Sequence, residues 1–183
     1  TTTLETALGR GVLGGLETVR GMAARYDDAI NFWGQTWGNR SDILVAVNGS
    51  YFGDSDTPEN GMVLSGWYAK RFNDLGGGSG LVWTLNRQVF IDDCIYHQPA
   101  KQRIRIEDSQ GLIRWEGTFT GTNVSRGNND LVLYTPQFGT RTPARSDGVE
   151  IVLQLNRPLL IIPSSAASVV GTVTAIRDHQ GDT

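Results

Sequence analysis

Three carboxylates, Asp54, Asp56 and Glu59, crowd into the stretch "GDSDTPENG", directly behind "VNGSYFG" at 47 to 53. Two acids flanking one bond are the usual equipment for breaking a glycosidic linkage, one giving a proton while the other attacks or activates water. We take Glu59, Asp54 and Asp56 as the candidate catalytic acids; spacing alone assigns no role to any of them. The loop also offers oxygen ligands of the kind calcium takes, but its spacing departs from the EF-hand pattern. We therefore expect no metal and no cofactor. A second acidic pair, Asp92 and Asp93 at the end of "RQVFI", reads as a turn.

Other chemistries lack their parts. The two histidines, His97 and His179, stand at no metal-pair or triad spacing. The single cysteine, Cys94, excludes an internal disulfide and a cysteine-built metal site. "GGGSG" at 76 to 80 is close to a nucleophile elbow in letters, yet no helix pattern follows it and no lysine ends it as in a phosphate loop. It reads as a connection between strands.

Something must hold the acidic loop in place. The apolar run "ILVAV" at 43 to 47 predicts a strand buried on both faces, which would end on Asn48-Gly49 and present Ser50, Tyr51 and Phe52 beside the acids. Ahead of it, Leu16, Val19, Ala23, Tyr26, Ile30, Trp33 and Trp37 recur at steps of three and four, which predicts a long amphipathic helix between Gly14-Gly15 and Gly38-Asn39. Beyond Ser41 the pattern turns to short β-rich runs: "GMVLSGW", "GLVWTL", "RQVFI", "QRIRIE", "GLIRWEG", "DLVLYT", "VEIVLQL", "PLLII" and "SVVGTVTAI". The alternation in "QRIRIE" gives that strand one wet face. The fold class expected is α+β, a mostly antiparallel or mixed β-sheet packed on one long N-terminal helix.

The 183 residues, 39% of them apolar, suit one folded domain over 1–183, and the net charge of -3 gives no electrostatic reason to expect nucleic acid as a partner. No apolar run is long enough to span a bilayer. The start at Thr1 without methionine suggests a mature secreted form or an excised domain, and the polar ending "RDHQGDT" suggests that more chain followed.

Residues 45 to 66, "VAVNGSYFGDSDTPENGMVLSG", resemble the phosphodiester glycosidase family, the domain that bacterial members share with the mannose 6-phosphate uncovering enzyme. The family pattern is an apolar strand ending in Asn-Gly-(Gly/Ser)-(Tyr/Phe)-Phe, then a loop and a Gly-hydrophobic-hydrophobic-Ser turn, which Gly61 to Ser65 resembles. Farther on, "GTNVSRGNNDLVLYTPQFGTRTPARSDGVEIVLQL" at 121 to 155 is similar to the bacterial branch, with Asn123 and Arg126 ahead of a strand.

The resemblance implies a secreted or cell-envelope hydrolase that removes a sugar from a phosphate diester. Such a substrate is an anion carrying a ring, so Asn48, the backbone around Gly49 and Ser50, and Arg126 are expected on its phosphate, and Tyr51 and Phe52 on its sugar. Asn60 and Gly61 at the following turn, and Asn123, complete the expected binding set. Toward their carboxyl ends family members carry an Asn-Leu-Asp-Gly-Gly-Gly-Ser segment that this sequence lacks. The expectation is therefore the N-terminal part of a phosphodiester glycosidase domain, completed by a missing C-terminal segment or a second chain. The alternative is a non-catalytic carbohydrate-binding or cell-surface module of the same fold.

Overall fold

The computed structural model describes residues 4–31, 43–49, 58, 61–64, 67–70, 78–84, 86–95, 102–156 and 168–179. A 3-10 turn at Gly9–Gly11 leads to a single described helix, α1 (Val19–Asn31). Ten strands follow: β1 (Met62–Leu64), β2 (Trp67–Lys70), β3 (Gly78–Trp83), β4 (Val89–Ile95), β5 (Arg103–Glu107), β6 (Ile113–Thr118), β7 (Gly121–Thr122), β8 (Val132–Leu133), β9 (Glu150–Leu155) and β10 (Gly171–Arg177).

The helix starts where a side chain can cap it. Thr18 Oγ1 accepts from the Gly21 amide at 3.0 Å, satisfying one of the amide donors that the first turn leaves unpaired. Arg25, two turns on, reaches back to Glu17 at 3.0 Å and donates to the Leu8 carbonyl at 2.8 Å. That latch ties α1 to the turn before it, and its hydrogen bonds hold the Glu17 carboxyl below the usual range.

The strands pair two by two. β1 with β2, β3 with β4, β5 with β6 and β9 with β10 are antiparallel, while β7 with β8 is parallel. In β5 the alternation works as read: Ile104 and Ile106 are half-buried, whereas Arg103, Arg105 and Glu107 are exposed. Register places Arg105 opposite Glu116 on the wet face, and Ile106 opposite Trp115 on the other. Arg105 and Arg103 then both reach Glu116, at 3.1 and 3.3 Å.

A small core joins distant pieces of chain. Leu8, Leu13 and Ala69 are its buried members, with Met62 and Phe138 packed against them. The Leu13 amide donates to the Gln137 carbonyl at 2.8 Å, so the N-terminal turn, the β1–β2 pair and the segment after β8 meet there.

The expected α+β architecture, one sheet packed on a long N-terminal helix, is corrected by this. The described residues are mostly β, in separate two-stranded pairs, and the helix is 13 residues long. Leu16, counted on its apolar face, lies outside it and is exposed, because the Thr18 cap sets the first turn beyond it. Trp33 and Trp37 lie outside the described residues.

Three local expectations also change. The run 43–49 carries no strand, and Leu44, Val45 and Val47 are 74% to 80% exposed, so it is not the buried strand that its letters suggest. Hydrophobicity marks a stretch that can be buried, while pairing needs a neighbouring edge, which the described residues do not supply. Asp92 and Asp93 belong to β4 instead of a turn, since the ladder with β3 continues past them to Ile95. Gly78 to Gly80, read as connection, begin β3.

Candidate functional site

The sequence-expected site residues separate into three groups. Ser50, Tyr51, Phe52, Asp54, Asp56, Glu59 and Asn60 lie outside the described residues. Asn48 and Gly49 are described and exposed, at the end of the run 43–49. Gly61 is half-buried and leads into β1. Asn123 and Arg126 sit on the loop that joins β7 to β8, and their surroundings are the best defined.

Asn123 is 3% exposed and uses its amide completely. Its Nδ2 donates to the Ala69 carbonyl and to Thr135 Oγ1, both at 2.7 Å, and its Oδ1 accepts from the Thr135 amide at 2.8 Å. The backbone amide of Asn123 donates to the Leu133 carbonyl at 2.9 Å, with φ at 55°, a left-handed conformation that Asn tolerates better than most residues. An amide spent in this way holds chain together instead of meeting a substrate. The residue expected in the binding set is a staple between the β7–β8 loop and β2.

Arg126 lies on the wall of an open cleft of about 550 Å³. Its guanidinium, with a side chain only 13% exposed, donates to the Asp147 carbonyl at 2.8 Å and pairs with the Asp147 carboxylate at 3.0 Å. Arg145 grips the same carboxylate with two bonds, at 2.8 and 3.2 Å, and also donates to the Arg126 carbonyl and to Asn128 Oδ1. Two guanidinium groups on one carboxylate strongly favour its ionised form. The Arg145 hydrogen bonds foremost, then Arg126, pull Asp147 down to about 2.

The backbone beneath is shaped for this pair. Gly148 has φ 89°, and a Cβ there would lie 2.9 Å from Arg126 Nη2. Trp115 of β6, 44% exposed, lines the same cleft. Its indole lies over Gly117, where an added Cβ would come within 2.3 Å of the ring and 2.9 Å of Leu131. The loop itself is held by Asp130, which accepts from the Gly127 amide at 2.7 Å, and by Tyr134, whose hydroxyl donates to the Val124 carbonyl at 2.9 Å.

No family model matches the chain, and no curated protein and no solved structure matches it.

Trp115, Arg145 and Asp147 were not singled out from the sequence. Nothing local in the letters "RSDG" says that its acid would meet an arginine 21 positions earlier. Among the described residues no three His, Cys, Asp or Glu side chains gather as metal ligands would. No described helix is long and apolar enough to cross a membrane.

Proposed function

We propose that this chain contributes to a hydrolase of sugar phosphodiesters, removing a sugar from a phosphate diester outside the cytoplasm. The observation that carries the proposal is the Asn123–Ala69 hydrogen bond. It joins the second stretch that resembles phosphodiester glycosidases, 121 to 155, to the β1–β2 pair that opens in the first stretch, at Gly61. Ala69 lies three positions past the first stretch, on the strand that pairs with β1 inside it, so the bond brings the second stretch against the neighbour of the first.

In the reaction, water adds to the anomeric carbon, the bond from that carbon to the bridging oxygen breaks, and a phosphate monoester leaves with the oxygen. A phosphate monoester is a good leaving group, its second proton titrating near about 6, so activation of water matters more than protonation of the departing oxygen. Glu59 is the residue we assign to that proton, with Asp54 and Asp56 as the other acids of the loop. Asn48 and the amides of Gly49 and Ser50 suit the phosphate oxygens, Tyr51 and Phe52 the ring, and Asn60 and Gly61 complete the substrate-binding set.

A chromogenic sugar phosphodiester offered to the 183-residue chain and, in parallel, to the gene's full product tests the proposal. Hydrolysis that falls by about a hundredfold or more in Glu59→Gln supports it. Absence of hydrolysis in both forms overturns it. The exposed ring of Trp115 on the cleft favours a second reading for that case, a carbohydrate-binding module without catalysis.

A further inference from the structure

We propose that the cleft between Trp115 and the Arg126–Asp147 pair seats an uncharged sugar ring. The inference deepens the proposed function and rests on it for the substrate class: it assigns the cleft to sugar and moves Arg126 away from the phosphate.

Charge comes first. Arg126 brings one positive group to the cleft wall, and Asp147 and Asp130 bring two negative ones. Arg126 is paired with Asp147, so the charge of the arginine that lines the cleft is already matched where a phosphate would have to bind. A phosphodiester anion would meet two carboxylates and would have to displace Asp147 from Arg126 to reach it. An uncharged hydroxyl meets no such opposition. Guanidinium N–H groups beside carboxylate oxygens set donors next to acceptors, and adjacent sugar hydroxyls each donate and accept, so the wall matches the edge of a pyranose.

Trp115, lining the same cleft, supplies the other half of the recognition. A sugar ring has one face of C–H groups, weakly positive, and an indole presents a negative π-face to it. Trp115 is held for that contact by Gly117 beneath it and Leu131 beside it, and it remains 44% exposed. A side chain at 117 would lift the ring off the strand. The cleft volume, about 550 Å³, falls within the range of small-ligand sites, of order 300–1,000 Å³, and accommodates one or two rings.

The experiment uses calorimetric titration of the protein with methyl glycosides of glucose, mannose and N-acetylglucosamine, and with inorganic phosphate at matched ionic strength. The expected result is that at least one glycoside binds, that Trp115→Ala weakens it about tenfold, and that Trp115→Phe, which keeps a ring, stays within about threefold. Phosphate should bind no differently to the wild type and Trp115→Ala. Should Trp115→Ala fail to fold, the indole N–H resonance of Trp115, assigned by its disappearance in Trp115→Phe, gives the same answer by moving or not moving on addition of glycoside. No glycoside binding, an unmoved resonance, or phosphate binding that depends on Trp115 overturns the proposal. Hydrolysis of the diester with the resonance unmoved sinks the sugar seat alone. A moved resonance without hydrolysis in either form keeps the seat and sinks the enzyme.

Discussion

Asn123 Nδ2 lies 2.7 Å from the carbonyl oxygen of Ala69, a buried hydrogen bond spanning 54 positions of chain. The same side chain holds Thr135, which passes the network on to Gln137 at 2.6 Å, and the Gln137 carbonyl accepts from Leu13. Four pieces of chain thus meet around one amide.

Replacing that amide should be costly in a way that can be divided. Asn123→Ala leaves the Ala69 carbonyl and the Thr135 amide without partners and forces a Cβ-bearing residue with no polar compensation to hold φ 55°, so we expect a loss of about 3 kcal/mol in urea unfolding. Asn123→Gly loses the same bonds without the backbone strain and should be about 1 kcal/mol less damaging. Equal losses in the two variants would remove backbone strain from the account.

Gly148 answers to two constraints at once, a φ of 89° and a guanidinium 2.9 Å from where its Cβ would be. Gly148→Ala should destabilise by about 1–2 kcal/mol and shift the Arg126 side-chain resonances as the Asp147 pair loosens. Unchanged Arg126 resonances would show that the turn, and not the ion pair, takes up the strain.

Asp147 makes stability depend on acid. Its folded-state value near 2 lies below the ordinary 3.8, so its contribution is complete above about pH 4 and is lost as pH falls through about 2. Glu17 and Asp108 are lowered as well, Asp108 chiefly by accepting from the Leu112 amide, and act in the same direction. The difference between wild type and Asp147→Asn therefore isolates one group. Chemical unfolding measured from pH 5 to pH 2 should show the wild type losing its advantage over Asp147→Asn as pH falls; parallel curves would mean that the two arginines stabilise nothing through this carboxylate.

Thr18 fixes where the helix begins. Thr18→Ala should cost about 1 kcal/mol, while Thr18→Asp, which keeps an acceptor, should recover most of it. Melting of the helical dichroism reads the difference, and an unaffected Thr18→Ala would mean that the Glu17–Arg25 latch alone holds the first turn.

What the sequence determined by itself was local. Alternation in "QRIRIE" placed Arg103 and Arg105 on a wet face and Ile104 and Ile106 on a drier one, because side chains of an extended backbone alternate whatever surrounds them. Most described strand positions after residue 60 were legible in the β-rich runs, and the steps of four and three at Val19, Ala23 and Tyr26 marked a real helix. Tertiary structure decided the rest. Apolar letters at 43 to 47 could not say whether a partner strand was at hand, and the acid pair Asp92-Asp93 looked like a turn until the ladder with β3 ran through it. Asn123 was expected in the binding set on the family resemblance of 121 to 155; only its position against Ala69 gave it to the fold. Trp115, Arg126 and Asp147 line one cleft because β6, the β7–β8 loop and the turn before β9 converge there. Local propensity carries no information about such convergence, since it depends on contacts between residues far apart along the chain.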